Sequence, residues 1–274
     1  MNFALLNNQL TEEKDLRLTN KNRGFLYGDG FFETIKIFNK KPFNLENHFD
    51  RIIYSADLLD IKFTLSVLDL NKSVSILIEK NNIKSGSVRI SVYRNSKGKY
   101  FPEENTSSIL INSRNDINDV FVERSFINIG YYKENLKSPS PLSNLKSLNS
   151  LLYVMASKYA NENNFDDVIL LNTNNNIIET TNSNLFILNY NKVITPPLKD
   201  GCVDGSMRKL LISIIKNKYE FEEESISEND LDTCSEVILS NSTYGVRGIK
   251  KINEVTYNNS NLYKYLINSL NNLI

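Results

Sequence analysis

Short apolar runs follow one another closely between Val168 and Thr195, in the stretch VILLNTNNNIIETTNSNLFILNYNKVIT. Clusters of Asn, Thr and Ser, which are typical of turns, separate these runs. Runs of this length are typical of strands, and we expect strands over 168–171, 177–179, 185–188 and 193–195. Because few helices lie between them, the stretch predicts a largely antiparallel or mixed sheet and opposes a doubly wound parallel one.

The preceding part of the chain alternates between the strand and helix patterns and predicts a small α+β unit. The polar string Ser113–Asp116 is the predicted linker out of this unit, which divides the chain into domains 1–114 and 115–274. The predicted elements of the first domain are strands over 31–38, 88–93 and 108–111 and helices over 45–59 and 66–81. The second domain adds strands over 126–131 and 237–239 and helices over 148–159, 206–217 and 261–273.

Composition places the chain among ordinary folded proteins. Its 274 residues are 41% hydrophobic and 10% aromatic, which supplies enough apolar material for one large core or two smaller ones. Lys and Arg number 32, and so do Asp and Glu, so no net charge attracts nucleic acid or an anionic membrane. A small anionic ligand remains compatible with this balance, since a few local cations suffice to bind it.

Cysteine usage and hydropathy indicate a cytoplasmic protein. The two cysteines, Cys202 and Cys234, lack the spacing of metal ligands, and we interpret them as reduced thiols; no metal site is predicted. The apolar run Phe3–Leu6 is too short for the core of a signal peptide. No apolar run approaches the length that crosses a membrane, so no membrane partner is expected.

A lysine and a carboxylate carry the strongest indication of chemistry. Lys146 lies between the Pro-rich loop Ser138–Pro141 and a predicted helix, and Glu179 lies on a predicted strand beside a polar Thr/Asn/Ser run. One lysine of many is usually a solvated surface residue, but an amine near a helix start is favoured as a nucleophile. A lysine can hold an aldehyde as a Schiff base and a carboxylate can keep a pyridine nitrogen protonated, which together predict pyridoxal 5'-phosphate as the cofactor.

Several segments match a known family in its order along the chain. They are Arg23–Thr34 (RGFLYGDGFFET), His48–Arg51 (HFDR), Leu145–Asn149 (LKSLN), Glu179–Phe186 (ETTNSNLF), Thr195–Pro197 (TPP) and Gly205–Arg208 (GSMR). On these segments the chain resembles the class IV aminotransferase family of pyridoxal-phosphate enzymes, which have fold type IV. The resemblance implies an α+β, two-domain fold, with a small N-terminal α/β sandwich and a larger C-terminal domain with a mixed, barrel-like sheet.

The resemblance also implies roles for individual residues. Lys146 would be the catalytic, Schiff-base lysine, and Glu179 would pair with the pyridine nitrogen. The cofactor phosphate would be bound by Arg51, by the helix-start turn Gly205, Ser206 and Met207, and by the hydroxyl of Ser242. Relatives often have threonine where Met207 stands, so this position would contribute its amide alone.

On the substrate side, the resemblance implies roles for Tyr27, Arg89 and Thr243. Arg89 and Arg94 are both candidates to bind a substrate carboxylate, and their odd spacing puts them on opposite faces of a strand. The lone histidine, His48, is interpreted as a packing or capping residue of its helix, because no metal partner is in sight.

Three activities within the family remain open: branched-chain aminotransferase, D-amino-acid aminotransferase and 4-amino-4-deoxychorismate lyase. The Gly-Thr-Ala triplet of branched-chain enzymes is replaced here by Asn241-Ser242-Thr243, and the segment Asn95–Tyr100 is more similar to the lyase. We therefore predict the lyase, which acts in folate biosynthesis, with an amino-acid transaminase as the alternative. The resemblance further implies a homodimer that acts on a small-molecule amino substrate.

Overall fold

The computed structural model describes residues 2–258 and 260–274, and these form two compact units. The first unit runs to Val120 and also includes the segment Leu145–Asn149. The second unit covers Phe121–Asn144 and the chain from Ser150 onward. No helix of the described residues is long and apolar enough to span a membrane.

The first unit is an antiparallel sheet covered by helices. Its strands are β1 (Phe3–Leu6), β2 (Gln9–Glu12), β3 (Gly30–Phe38), β4 (Lys41–Pro42), β5 (Ser85–Arg94) and β6 (Ser107–Asp116), and its helices are α1 (Arg23–Tyr27), α2 (Leu45–Leu58) and α3 (Val67–Lys80). The strand order is β2-β1-β6-β5-β3-β4. Buried residues of the sheet, such as Ile35 and Ile90, form one core with Ile52 of α2 and Leu77 of α3. This is the α/β sandwich that the sequence predicts.

Residues 113–116 are not a linker but the end of β6. They pair in register with β5, from Val88 opposite Ser113 to Ser85 opposite Asp116. Polar side chains are tolerated here because backbone hydrogen bonds to β5 do not depend on apolar residues. The two units consequently divide after Val120, and not after residue 114.

Two residues that are close in sequence determine where helix α3 begins. Ser66 caps the helix by accepting a hydrogen bond from the Asp69 amide, and Asp69 in turn accepts one from the Ser66 amide. This capping box satisfies two amide donors that a helix start leaves without partners, and it sets the first turn where the apolar periodicity begins.

The second unit is built on a mixed sheet. Its strands are β7 (Ile127–Lys137), β8 (Asp167–Asn172), β9 (Ile177–Thr180), β10 (Asn184–Asn189), β11 (Lys192–Thr195), β12 (Glu220–Glu223), β13 (Glu236–Asn241), β14 (Gly245–Ile252) and β15 (Val255–Thr256), and its helices are α4 (Leu151–Glu162), α5 (Ser206–Ile215), α6 (Glu228–Thr233) and α7 (Asn261–Asn271). The main order is β12-β11-β10-β13-β14-β7-β8-β9. Because β9 also pairs with β10, the strands from β10 to β9 close into a barrel. The predicted mixed, barrel-like domain is confirmed.

Both faces of strand β8 are buried, which explains its unbroken apolar sequence. Ile169 and Leu171 belong to one core, together with Leu185 and other barrel residues. Val168 and Leu170 belong to a second core that contains Ala156 of helix α4. A strand with apolar neighbours on both faces has no solvent side on which polar residues would alternate.

Candidate active site

Strand pairing, and not a helix start, positions Lys146. The Phe32 amide donates to the Lys146 carbonyl at 2.9 Å, and the Leu148 amide donates to the Gly30 carbonyl at 3.0 Å. The segment Leu145–Asn149 thus lies along the first residues of β3, whereas helix α4 begins only at Leu151. Helix α4 thus begins at Leu151 and not at residue 148, where it was predicted, and the effect of its start on Lys146 stays a prediction.

The side chains of Lys146 and Arg89 both lie close to the aromatic ring of Phe32. Its Nζ lies 4.6 Å from the centre of the Phe32 ring, and the Arg89 guanidinium carbon lies 3.6 Å from the same centre. Partial burial lowers the pKa of Arg89 below its ordinary value. Arg89 pairs across the sheet with Thr34, so its side chain and those of Phe32 and Thr34 lie on one face of the sheet. An amine and a guanidinium are consequently neighbours.

Arg94, the alternative carboxylate ligand, has a structural role. Its side chain is buried and donates to the Asp29 carboxylate, the carbonyls of Leu59 and Asp60, and the Asn105 side chain. A guanidinium with partners on all its nitrogens holds loops together. Of the two arginines that the sequence offered, Arg89 is the one beside Lys146.

Arg51 lies in a buried cluster with Glu33 and His48. Arg51 donates Nε to Glu33 Oε1 at 2.6 Å and Nη2 to Glu33 Oε2 at 2.7 Å, and His48 Nδ1 lies 2.6 Å from Glu33 Oε2. Burial alone would raise the pKa of Glu33, but the charge of Arg51 and the hydrogen bond from His48 outweigh it and lower that pKa to about 2. Burial lowers the pKa of His48, so this imidazole is neutral near pH 7.

The cluster bears on two sequence-based interpretations: His48 as a packing or capping residue and Arg51 as a phosphate ligand. His48 is buried on α2, and it is the hydrogen-bond partner of a carboxylate as well as a packing residue. No group of side chains suited to a metal ion occurs among residues 2–258 and 260–274. The two bonds to Glu33 occupy one edge of the Arg51 guanidinium, so a phosphate would have to meet its other edge. That role of Arg51 stays a prediction.

Tyr27 lies at the end of helix α1 in an exposed aromatic group. Its ring centre is 5.6 Å from that of Tyr100, and the Arg23 guanidinium carbon lies 4.9 Å from its centre. Arg23 is buried and also donates to the carbonyls of Gly98 and Lys99, which ties α1 to the loop that carries Tyr100. A substrate contact from Tyr27 stays a prediction.

In the second unit, Glu179 is a buried carboxylate with several donors. Its Oε1 accepts hydrogen bonds from Lys137 Nζ at 2.6 Å and from the Tyr153 hydroxyl at 2.8 Å. Its Oε2 accepts one from the Val203 amide at 2.8 Å. These donors come from β7, α4 and the loop before α5, so the carboxylate is oriented from three sides.

Lys137 and Tyr153 are functional candidates that the sequence did not reveal. Tyr153 falls within the apolar periodicity of α4, where an aromatic residue ordinarily signals core packing. Lys137 ends a strand in which the four preceding residues, 133–136, are exposed. Only the contact with Glu179, which is distant along the chain, distinguishes these two residues from packing and surface positions.

The start of helix α5 has the properties of an anion site. A helix of this length directs amides and the positive end of its dipole toward its N-terminus. Ser206 Oγ lies 3.1 Å from Ser242 Oγ, which places two hydroxyls at this end. Met207 is buried and contributes no hydroxyl, as expected. A Cβ on Gly205 would lie 2.0 Å from Asn184 Oδ1, so a larger residue here would require the Asn184 side chain to move.

The side chain of Asn241 closes the loop after β13 by hydrogen bonds to the loop's own backbone. Asn241 Oδ1 accepts hydrogen bonds from the amides of Thr243 at 2.9 Å and Tyr244 at 3.1 Å. Asn241 Nδ2 donates to Asn182 and to the Ser183 hydroxyl. The loop therefore presents the hydroxyl of Ser242 toward Ser206, while the amide of Thr243 is used within the loop.

The second unit contains hydrogen-bonding groups of the kinds that a phosphorylated pyridine requires. Glu179 supplies a fixed carboxylate for a protonated ring nitrogen, and the start of α5 with two hydroxyls supplies an anion site. Ser240, the cross-strand neighbour of Asn184, adds a buried hydroxyl that has no hydrogen-bond partner among the described residues. The residue types therefore fit pyridoxal phosphate.

Known proteins are similar to this chain in sequence and in fold. The family model described as "Amino-transferase class IV" matches residues 30–252. A D-alanine aminotransferase from Staphylococcus epidermidis is 25% identical over 256 residues, which cover 92% of this chain and 89% of that protein. A solved structure from Legionella pneumophila, named as a candidate 4-amino-4-deoxychorismate lyase, is 28% identical with a TM-score of 0.87 and covers 96% of this chain and 97% of its own.

A branched-chain aminotransferase from Thermoproteus uzoniensis is similar in fold. Its structure superimposes with a TM-score of 0.90 at 21% identity and covers 98% of this chain and 93% of its own. At this level of identity the likeness concerns the fold alone. The fold predicted from the resemblance is thereby confirmed.

Proposed function

This chain belongs to the class IV aminotransferase family of pyridoxal-phosphate enzymes, and from that premise we propose that it is a 4-amino-4-deoxychorismate lyase. Such an enzyme converts aminodeoxychorismate into 4-aminobenzoate, a folate precursor, and pyruvate. The likeness to the Legionella protein supports this choice, because it extends over nearly all of both chains.

The cofactor, when bound, supplies an aldehyde that condenses with amines and a ring that withdraws electrons. Lys146 would supply the amine that holds the cofactor, and the same amine would act as the base that removes the proton from the carbon bearing the substrate nitrogen. Glu179 accepts a hydrogen bond from the ring nitrogen. Gly205, Ser206, Met207 and Ser242 bind the phosphate, together with Arg51.

One observation carries the choice of the lyase over a transaminase: Asn241 occupies the amides of Thr243 and Tyr244. An α-amino acid has its carboxylate on the reacting carbon, so an amino-acid transaminase needs carboxylate donors close to that carbon. The loop after β13 adjoins Ser206, the proposed phosphate ligand, but the amides of Thr243 and Tyr244 are used within the loop. Both carboxylates of aminodeoxychorismate lie several bonds from the amine-bearing carbon and do not require these amides.

Arg89 is the proposed ligand of such a remote carboxylate. It packs on the same ring as Lys146, and a guanidinium offers paired donors that match a carboxylate. Tyr27 and Thr243 are proposed to line the remainder of the substrate site. Replacement of Arg89 by Lys would keep the charge but lose the paired geometry, so it should raise the KM for aminodeoxychorismate more than it lowers kcat.

The test is a substrate panel on the purified protein. Incubation with aminodeoxychorismate should generate the fluorescence of 4-aminobenzoate, and Lys146→Ala should abolish both this activity and the adduct that borohydride traps. Lys158, which is exposed on α4, provides the matched control Lys158→Ala, with activity unchanged. Absence of aminobenzoate, together with glutamate formed from an amino acid and 2-oxoglutarate, would contradict the lyase.

A transaminase is the second candidate, and the 25% identity to a D-alanine aminotransferase over 92% of the chain favours it. In that case D-alanine, or L-leucine for a branched-chain enzyme, would react with 2-oxoglutarate. The same panel therefore separates the two candidates without a further variant.

We further propose a cytoplasmic homodimer. Phe25, Tyr100 and Phe101 are 82%, 88% and 83% exposed, and Arg23 joins the two segments that carry them. Exposed aromatic residues in one region are typical of protein interfaces. Both cysteines are free and buried, which suits a reducing compartment. Sedimentation at micromolar concentration should give the mass of a dimer, and a monomer would contradict this proposal.

A further inference from the structure

A lysine already neutralises the carboxylate that is proposed to hold the cofactor ring. Lys137 Nζ lies 2.6 Å from Glu179 Oε1, and the side chains of Lys137 and Glu179 are only 11% and 3% exposed. Because the pair is shielded from water, its charges interact more strongly than those of a surface ion pair. The second oxygen of Glu179, Oε2, accepts the Val203 amide.

A protonated ring nitrogen would introduce a second cation at this carboxylate. One negative charge would then face two positive charges, from Lys137 and from the ring. Repulsion between like charges in a poorly hydrated site disfavours the charged form of either group. The ring proton is therefore bound less tightly beside a Lys–Glu pair than it would be beside a carboxylate alone.

We propose that Lys137 is a positioning residue that shares the Glu179 carboxylate with the pyridine nitrogen and so weakens the hold of that carboxylate on the ring proton. Lys137 and Tyr153 donate to Oε1, whereas Oε2 accepts the Val203 amide and would be the oxygen that also accepts a hydrogen bond from the ring nitrogen. Its charge also sets how strongly the ring withdraws electrons. Lys137 has this role only if the proposed function holds, because the ring belongs to the cofactor.

The other groups near Glu179 do not supply a compensating charge. Burial raises the pKa of Tyr153 well above its ordinary value, so its hydroxyl stays protonated and donates to Oε1. Burial, followed by the charge of Glu179, raises the pKa of the Cys202 thiol to about 12, so the thiol is neutral. Arg208 and Asp204 act on that thiol with opposite signs. Among residues 2–258 and 260–274, Lys137 is thus the cation in direct contact with the carboxylate.

A weaker electron sink suits the proposed lyase. Removal of pyruvate from aminodeoxychorismate makes an aromatic ring, and the gain of aromaticity favours elimination. A transaminase instead needs a carbanion that survives long enough to be protonated elsewhere, which a more strongly protonated ring promotes. Lys137 is therefore expected to favour elimination over amino transfer.

The direct test is the protonation of the ring nitrogen in the holoenzyme. The full-length protein would be loaded with pyridoxal phosphate labelled with 15N in the ring, and the 15N chemical shift followed against pH. We expect the ring of the Lys137→Met variant to keep its proton to a pH higher by about one unit or more than in the unmodified protein. Equal titration curves would overturn the role of Lys137.

Companion variants separate charge from hydrogen bonding. Lys137→Arg restores the cation and should return the titration toward that of the unmodified protein. Tyr153→Phe removes a neutral donor from the same oxygen and should shift the curve less than Lys137→Met. If Lys137→Met does not fold, as judged by circular dichroism, Lys137→Gln replaces it with a neutral donor. A shift in Lys137→Arg as large as in the neutral variant would also overturn the proposal.

Failure of the proposed function gives a different result. If labelled pyridoxal phosphate does not bind the unmodified protein, the assignment of Glu179 and Lys146 is wrong, and the role of Lys137 is excluded with it. If the cofactor binds and the ring titrates identically with and without Lys137, the cofactor assignment stands and the inference about Lys137 alone is wrong.

Discussion

Arg51 and Glu33 form a two-bonded ion pair inside the first unit, with Nε to Oε1 at 2.6 Å and Nη2 to Oε2 at 2.7 Å. Both side chains are almost fully buried. A buried pair of this kind contributes less by its attraction than it costs when one partner is lost, because the remaining charge is then isolated from water.

Replacement of Glu33 by Gln should therefore destabilise the protein strongly. The variant leaves the guanidinium of Arg51 buried without its counter-charge, and a loss of about 3 to 5 kcal/mol in the free energy of unfolding is expected. Urea unfolding followed by circular dichroism measures it. Glu254→Gln, at a position whose side chain is 95% exposed, is the control and should change stability little. A Glu33→Gln protein as stable as the control would show that the pair is dispensable.

The same cluster predicts loss of stability in acid. The folded-state pKa of Glu33, about 2, is below its ordinary value of 4.5, so its contribution is present above pH 4.5 and is lost as the pH falls toward 2. The lowered pKa of His48 also reduces stability as the pH falls below 6.5, its ordinary pKa. The reason is that His48 takes up a proton more readily in the unfolded chain than in the folded protein. Unfolding free energies at several pH values should fall from pH 6.5 downward, and less steeply in His48→Gln.

Gly205→Ala should damage the start of α5. The added Cβ would meet Asn184 Oδ1 at 2.0 Å, and Asn184 is itself held by a hydrogen bond to the Val203 carbonyl. We expect a loss of about 1 to 3 kcal/mol in stability, together with weaker binding of pyridoxal phosphate. The double variant Gly205→Ala with Asn184→Ala removes the colliding atom and should recover part of the loss. No recovery would mean that the backbone, and not Asn184, requires glycine.

Ser242→Ala should weaken binding through the phosphate group specifically. Loss of a hydroxyl that donates to an anion costs about 1.5 to 3 kcal/mol, which corresponds to roughly a tenfold or greater loss of affinity for pyridoxal phosphate. Affinity for pyridoxal, which lacks the phosphate, should be unchanged. Titration calorimetry compares the two ligands, with the exposed Ser213→Ala on α5 as control. Equal losses for both ligands would place Ser242 outside the phosphate site.

Glu236 caps helix α7 from a neighbouring strand. Its Oε1 accepts the Tyr263 amide at 2.7 Å, and its Oε2 accepts the Leu262 amide at 3.0 Å. Glu236→Ala leaves both buried amides without this acceptor and should cost about 1 to 3 kcal/mol in thermal or urea unfolding. A loss no greater than that of Glu254→Ala would show that α7 does not depend on this cap.

Local patterns were sufficient to predict most helices and strands. Apolar spacing predicts helices over 66–81 and 261–273, and the structure has α3 over Val67–Lys80 and the terminal helix over Asn261–Asn271. These helices can be predicted because periodicity depends on residues a few positions apart. The segments that resemble the family indicated the cofactor and its candidate ligands for the same reason, since each is short and continuous.

Tertiary structure alone decided what those segments contact. The pairing of Lys146 with β3, the closure of the barrel between β9 and β10, and the meeting of Lys137 and Tyr153 on Glu179 join residues far apart along the chain. Periodicity records which face of an element is buried, but it does not specify which distant residue covers that face. For this reason the sequence identified the carboxylate of Glu179, whereas only the fold revealed the lysine that neutralises it.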